Sequence, residues 1–336
     1  MIPVRYPESL DPIDISLIRE LETDARQPCS HLAAKLGVTR PTIQHRMERL
    51  LDAGIISITC VASHIALGYG TAVILAINSQ PSRLKEVVDG LRSCPPVRHA
   101  MICTGRFDII AWAMLRDRKE LADFLSDDLR AIPGLAHLET MLTLKHVKVS
   151  TTLLADENGR LVVENPAVEL DTMDFALIRE LEADARQTSN HLASKLGTSG
   201  STVRRKIQQL LRRRIISIQA VADPFALGFD GMASIGLKVD RSRVNEAADA
   251  IASYRNVQTV AICTGRYDIV AWAVFRGVSE LHHFITSELS RVAGLRDTET
   301  MTNLELVKFS RRFLTNNELG IPLPARREKD ERSALL

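Results

Sequence analysis

The feature that most constrains this chain is a single internal repeat. Ile102-Cys-Thr-Gly-Arg-Phe-Asp-Ile-Ile-Ala-Trp-Ala113 returns as Ile262-Cys-Thr-Gly-Arg-Tyr-Asp-Ile-Val-Ala-Trp-Ala273, an offset of 262 − 102 = 160 residues. The same offset carries Asp24-Ala-Arg-Gln27 onto Asp184-Ala-Arg-Gln187 and Ile55-Ile-Ser-Ile58 onto Ile215-Ile-Ser-Ile218. Over residues 14–37 against 174–197, 17 of 24 positions are identical, and no gap is needed between about residue 10 and residue 314. A period this long is not that of a solenoid, so the chain is a duplicated multi-domain unit.

Each copy begins with three short amphipathic segments. Residues 12–22 place Ile13, Leu17, Ile18 and Leu21 at helical spacing. A second helix over 30–36 turns Leu32, Ala33 and Leu36 inward and ends at Gly37. Thr39 then caps a third helix to about residue 53, with Ile43, Met47, Leu50 and Leu51 on its inner stripe. Copy two repeats the pattern around Leu192, Ala193, Gly197, Ser199, Val203 and Ile207. An alanine at a close helix crossing, a glycine four residues on and a capped helix make the spacing of a helix-turn-helix. Two matches in register carry far more weight than one.

The outward face of the third helix is the one that would enter a major groove. In copy one it offers Thr39, Arg40, Thr42, Gln44, His45, Arg46 and Arg49; in copy two, Ser199, Ser201, Thr202, Arg204, Arg205 and Lys206. Arginine reads guanine, glutamine reads adenine, and hydroxyls and further cations suit phosphates. A merely solvated helix face is also charged. Against that reading, residues 200–214 hold six cations and no acid, whereas Glu48 and Asp52 offset three arginines in copy one. Copy two is therefore expected to carry the larger sequence-independent phosphate affinity. Arg214 stands where copy one has Gly54; if the position needs positive φ, arginine costs about 1 kcal/mol there.

The remainder of each copy reads β-α-β-β-α-β after a connecting strand over 55–62. Strands are expected at 71–78, 97–104, 107–116 and 137–149, with helices at 82–92 and 119–131. The order is ferredoxin-like, an α+β arrangement with both helices on one face of an antiparallel sheet. A half-exposed sheet alternates apolar and polar residues, and these strands do not. Phe107, Ile109, Ala111 and Ala113 face one way, Ile110, Trp112 and Met114 the other. Two helices cover one face, so the second face is expected to pack on the sheet of another copy.

Composition excludes little. A net charge of +2 says nothing for or against nucleic acid, and no segment approaches 18 consecutive apolar residues. The first residues lack an apolar h-region, and the five cysteines include no CxxC pair. A cytoplasmic protein with reduced thiols and no metal or other cofactor is expected.

These residues resemble the Lrp/AsnC (leucine-responsive, feast/famine) transcriptional regulators. The resemblance is carried by Leu10-Asp-Pro-Ile-Asp14, His31-Leu-Ala-x-x-Leu-Gly37, Arg46-x-x-x-Leu50, Ala66-Leu-Gly68, Thr104-Gly-Arg-Phe-Asp108 and Pro133-Gly134, and covers roughly 300 residues. It implies winged-type helix-turn-helix domains, each followed by a RAM/AsnC ligand-binding domain. It also implies dimers through those domains, double-stranded DNA as partner, and a small effector, commonly an amino acid. Carried over, the effector site falls on Thr104, Gly105, Arg106 and Asp108, and on Thr264, Gly265, Arg266 and Asp268. The same turn read simply as a hairpin needs the glycine for positive φ and the aspartate as a cap. The expected division is 1–54 and 170–214 for DNA binding, 55–154 and 215–314 for effector domains, 155–169 as linker and 315–336 as a disordered tail. The chain departs from the family pattern in being a fusion, which suggests a covalent pseudo-dimer, further homo-oligomers and an asymmetric operator. In copy two, Lys206 replaces the usual arginine.

The rival reading is an enzyme. Siroheme decarboxylases resemble this architecture and also occur as fused pairs. Their His-Asn-Tyr-x-Arg-type segment has no counterpart in Ala66-Leu-Gly-Tyr-Gly-Thr-Ala-Val-Ile74, and His99, His137 and His146 do not recur in copy two. No catalytic residue is expected.

Overall fold

The structure, a computed structural model, describes residues 10–150, 152–155, 169–310 and 313–314. Nearly all of the anticipated linker and the charged tail lie outside the described residues. Copy one runs α1 (Pro12–Thr23), α2 (Cys29–Leu36), α3 (Arg40–Asp52), β1 (Ile56–Ala62), β2 (Thr71–Ser79), α4 (Leu84–Ser93), β3 (Val97–Cys103), β4 (Ile109–Leu115), α5 (Arg118–Asp123) and β5 (Leu135–Val149). Copy two runs α6 (Thr172–Ala183), α7 (Ser189–Lys195), α8 (Gly200–Arg212), β6 (Ile216–Ala222), β7 (Gly231–Val239), α9 (Val244–Ala252), β8 (Val257–Cys263), β9 (Ile269–Phe275), α10 (Val278–His283) and β10 (Leu295–Phe309).

Local chemistry starts these helices. Asp11 and Asp171 form capping boxes with Asp14 and Asp174, and the side chains of Thr39 and Ser199 accept the backbone N–H groups of Thr42 and Thr202. The helix expected over 119–131 is shorter. After Asp123 the backbone widens into a π turn, and Leu129 N–H donates to the Phe124 carbonyl at 3.0 Å. At the α-helical period, residues five apart diverge around the axis; the wider turn lets Phe124 and Leu129 both bury. Copy two repeats it over Phe284–Glu288.

Each copy forms an antiparallel β3-β4-β2-β5 sheet or its equivalent, with the helices packed on one face around Leu75, Val87, Leu91 and Phe124. The other face meets its counterpart. Ile74, Met101, Ile110 and Met141 bury against Ala261, Tyr267, Val270 and Met301. This explains why neither face of these strands alternates. The contact goes beyond stacking: β5 hydrogen-bonds to β8 and β10 to β3, closing one eight-stranded barrel with no free edge.

The connecting strands do not join the barrel. β1 pairs antiparallel with β6, and Thr59 faces Gln219 at the centre of the ladder. Since 219 − 59 = 160, equivalent residues meet there, and the pseudo-two-fold axis passes between them. Each three-helix core is completed by the opposite copy: Leu17, Ile18 and Leu50 cluster with Ala222, Phe229 and Val274, and Leu177, Ile178 and Leu210 with Cys60 and Leu67. The buried Glu22 carboxylate accepts the N–H groups of Leu153, Leu154 and Ala155 at 2.7–2.9 Å, which ties the end of copy one to its first helix. Glu182 does the same for Phe313 and Leu314.

Candidate functional site

Helix α3 and helix α8 are both second helices of a helix-turn-helix, and their apolar stripes are fully used inside. Ile43 and Leu50 bury in copy one; Val203, Ile207 and Leu210 bury in copy two. What remains outside differs between them. Arg40, Gln44 and His45 are exposed in copy one, with Thr42 half-buried beside the cap Thr39. In copy two Ser199, Ser201, Arg204 and Arg205 are exposed and Thr202 is half-buried.

Two of the residues expected at the DNA face, Arg46 and Lys206, are turned inward, and Arg49 is ion-paired while 41% exposed. Arg46 donates to Asp11 at 2.7 Å and to Asp14 at 2.8 Å, and Arg49 also donates to Asp14. Asp14 is 1% exposed, so this is a buried anchor between the first and third helices. Lys206 makes the equivalent pair of contacts, at 2.7 Å each, with Asp171 and Asp174. The lysine therefore makes the same clamp to the first helix that Arg46 makes in copy one. A carboxylate buried in a helix cap needs a cation, and either residue type reaches it. Of the expected residues, Arg40, Thr42, Gln44, His45 and Arg49 in copy one, and Ser201, Thr202, Arg204 and Arg205 in copy two, are exposed or half-buried on the outer face. Arg212, Arg213 and Arg214 extend the second set at the helix end, all exposed.

The two Thr-Gly-Arg-aromatic-Asp turns sit where the sheets join. Gly105 and Gly265 have φ of 112° and 103°, a region closed to other residues without strain. Asp108 accepts the Ser79 N–H and hydroxyl at 2.8 and 3.1 Å, and Asp268 accepts the Val239 N–H at 3.0 Å. Thr104 and Thr264 donate their N–H groups to the Thr302 and Leu142 carbonyls of the opposite copy. The arginines also cross over. Arg106 Nε donates to Glu299 at 2.8 Å, and Arg266 reaches both oxygens of Glu139 at 2.5–2.6 Å. That bidentate bond holds the Glu139 carboxyl below its usual range. In copy two Tyr267 replaces Phe107 and donates to Glu299 at 2.5 Å; burial and this neighbour push its pKa up. Glu139 and Glu299 were not singled out in the sequence. Their sign lay in their position on the repeated Glu-Thr-Met, opposite an arginine whose partner only the inter-copy contact supplies.

The histidines set aside as scattered are not all apart. His64, His99 and His146 line one cavity with Arg98, while the exposed His137 lies beside Glu139. Their failure to recur in copy two was read as a lack of pattern. It corresponds instead to a cavity lined mainly by copy one, to which copy two adds Thr259, Trp272, Phe309, Ser310 and Phe313.

The AsnC-type helix-turn-helix domain model matches residues 10–51 and 170–211, and the Lrp/AsnC ligand binding domain model matches 72–153 and 232–313. The chain belongs to the Lrp/AsnC family. It is a tandem form of it, and a DNA-binding transcriptional regulator by type. Single-copy relatives align with one half. An uncharacterised HTH-type transcriptional regulator of Pyrococcus abyssi is 28% identical over 155 residues, 45% of this chain and 98% of its own length. Another, from Pyrococcus furiosus, is 30% identical over 147 residues, 43% of this chain and 99% of its own. The architecture of both copies together is shared with the crystal structure of the siroheme decarboxylase NirDL. That likeness has a TM-score of 0.62 at 17% identity, covers 88% of this chain and 93% of that chain, and concerns the fold. No helix among the described residues is long and apolar enough to cross a membrane.

Proposed function

We propose that this Lrp/AsnC chain is a sequence-specific, cytoplasmic regulator that applies two unlike recognition helices to one asymmetric operator and answers to an amino acid. The observation that carries the DNA reading is the chemistry left outside each buried stripe. Arg204 and Arg205 on α8 and Arg212–Arg214 at its end are all exposed, while Gln44 and Arg40 supply base-reading groups in the other unit. Because the cores interlock through β1 and β6, the two helices are held by one framework. Selection of bound fragments from random duplex DNA tests this: two unlike half-sites are expected, and a perfect inverted repeat overturns it.

On this reading the effector binds at the inter-copy turns. An α-amino acid carries a carboxylate and an ammonium group, and each turn presents an arginine and a glutamate from opposite copies within reach of solvent. Arg106 and Glu299 are 49% and 29% exposed, Arg266 and Glu139 32% and 23%. A zwitterion that exchanges partners with such a pair links both copies and any further chain docked there. To act, it must bind two arrangements unequally. Amino-acid-dependent gel shifts on the selected operator check this, with R106Q and R266Q expected to abolish the response and spare basal binding.

A second reading, a tetrapyrrole-modifying enzyme, has in its favour the shared fold and the histidine cavity. That cavity has a volume of about 110 Å³ and is lined by His64, Arg98, His99 and His146 together with Trp112 and Trp272. A Soret-type absorbance shift of added siroheme by the purified chain would bring that reading back.

A further inference from the structure

The repeat lets the two Thr-Gly-Arg-aromatic-Asp turns be compared position by position, and they are not equivalent. At the second turn Arg266 is clasped. Its Nε and a terminal nitrogen donate to the two oxygens of Glu139 at 2.6 and 2.5 Å, and its guanidinium carbon lies 5.8 Å from the centre of the Phe107 ring. Among the described residues, the other side-chain partner of Glu139 is the exposed His137, at 3.4 Å. At the first turn Arg106 gives a single N–H, from Nε, to Glu299 at 2.8 Å. Its terminal nitrogens make no hydrogen bond among the described residues. Arg106 is also the more open of the two, 49% exposed against 32% for Arg266.

Two substitutions account for the difference. Tyr267 stands where copy one has Phe107, and its hydroxyl donates to the second oxygen of Glu299 at 2.5 Å. Gly236 stands where copy one has Ala76. A Cβ on Gly236 would lie 2.5–2.6 Å from three atoms of the Tyr267 ring, so the ring fills the space an alanine methyl would need. Phenol and arginine therefore divide the Glu299 carboxylate, one oxygen each. At Glu139 the arginine takes both oxygens, because Phe107 has no hydroxyl to compete. Bidentate arginine–carboxylate pairs are the stronger kind. A carboxylate that approaches Arg266 must break two bonds and leave Glu139 to His137 alone. One that approaches Arg106 meets an unused guanidinium edge, and Glu299 keeps its phenol bond if Arg106 turns away.

We propose that the two turns take up the amino acid in order, the Arg106–Glu299 turn first and the Arg266–Glu139 turn second, with affinities about 10-fold or more apart. This rests on the reading that the effector binds at these turns. Tyr267 is a positioning residue that partly releases Arg106 in advance, and Gly236 gives it room. On that reading both arginines are needed for the operator response, so the response follows the second occupancy.

Calorimetric titration of the full chain tests the order. Each standard L-amino acid is first screened for a rise in melting temperature, and the strongest stabiliser is titrated. Two classes of site, one molecule of each per chain and about 10-fold or more apart, are expected. The gel-shift midpoint on the selected operator should fall at the weaker class. R106Q should remove the tighter class and R266Q the weaker. Y267F lets Arg106 take both oxygens of Glu299, so the tighter class should weaken toward the other. G236A displaces the ring and should do the same. A76G/F107Y brings a hydroxyl to Glu139 and should strengthen the weaker class. Thermal melts establish that each variant is folded, and Y267F, which lacks only an oxygen, stays informative if G236A does not fold. Two equal sites, an unchanged ratio in folded Y267F, loss of the weaker class in R106Q, or a gel-shift midpoint at the tighter class would overturn the proposal and leave the effector reading standing. No binding of any amino acid, or binding untouched in R106Q/R266Q, overturns that reading and the proposal with it.

Discussion

The two recognition helices are built on the same plan and end with different means. In copy one, two of the three arginines on the third helix, Arg46 and the 41% exposed Arg49, are bound to the buried Asp14, which leaves Arg40 as the one not paired with it. In copy two, Lys206 performs the clamp on Asp174, position 209 is glutamine, and Arg204 and Arg205 stay exposed where copy one has Gln44 and His45. The comparison teaches that counting cations on a helix overstates what can meet a phosphate. An internal carboxylate claims its cations first, because leaving it unpaired in a helix core costs several kcal/mol. The effector halves diverge in the opposite sense. There copy one is the richer in titratable groups, with His64, Arg98, His99 and His146 in its cavity where copy two has Pro224, Gln258, Thr259 and Leu306.

The largest effect expected from this asymmetry is on stability against pH. Burial lowers the pKa of both His64 and His146 to about 4, with His146 adding to the shift of His64. Arg98 and His99 line the same cavity. A histidine depressed in the folded state binds fewer protons than in the unfolded chain. Its contribution is thus fully present above pH 6.5 and is lost as pH falls toward 4. Each group withdraws on the order of 3 kcal/mol across that window, with a combined slope of about 2.7 kcal/mol per pH unit where both respond. Urea unfolding at several pH values measures it, and H146L should roughly halve the slope. A slope unchanged by H146L would mean that copy one's histidines are not the source.

DNA affinity is the next most sensitive readout. R204A/R205A is expected to weaken operator binding about 30-fold or more, taking each contact at 1 kcal/mol or above. It should also flatten the slope of log affinity on log salt by roughly 1.8. The matched pair in copy one, Q44A/H45A, should leave the salt slope nearly unchanged while altering which bases are preferred. Equal salt effects from the two pairs would erase the division of labour between the helices.

The unpartnered imidazole gives a smaller effect of opposite sign to most core substitutions. H146L removes two buried polar atoms without partners among the described residues and should stabilise the protein by about 1–3 kcal/mol at pH 7. L306H should destabilise it by a similar amount, as a polar ring enters a site that has been apolar. Paired thermal melts at pH 7 compare the two copies directly.

How far the sequence spoke follows from the range of each interaction. Helix starts were legible because a cap and its partner lie three residues apart, as with Thr39 and Thr42 or Asp11 and Asp14. The missing alternation in Phe107–Leu115 was legible because a strand displays both faces in one run, and it pointed correctly to a second sheet. Closure of the barrel was not, since the β5–β8 and β3–β10 ladders are made by backbone groups that every residue carries. The inward turn of Arg46 depends on Asp14, 32 residues away, and nothing on the helix itself marks which cations are claimed. The histidine cavity was the least visible feature. Its basic groups come from β3, β5 and the segment after β1, and they declare themselves only as positions at which two otherwise similar copies disagree.

The smallest expected effect isolates a single backbone angle. Gly54 closes the third helix of copy one at φ 67°, and Arg214 holds φ 54° at the same place, the one non-glycine residue among those described with positive φ. Nothing lies within 4 Å of where a Cβ on Gly54 would sit, so the penalty on a side chain there is conformational rather than steric crowding by neighbours. An L-residue in the left-handed region loses about 1 kcal/mol against glycine, partly offset because glycine has more freedom to lose on folding. R214G should therefore stabilise the chain by somewhat less than 1 kcal/mol, and G54R should destabilise it by a similar amount. The two also differ in charge, and this separates strain from function. R214G should cost DNA affinity a few-fold, because it removes a cation at the end of the basic face, and R214N isolates that loss with a residue that tolerates positive φ. If R214G changes neither melting temperature nor salt-dependent binding, copy two does not retain its strained arginine for phosphate contact.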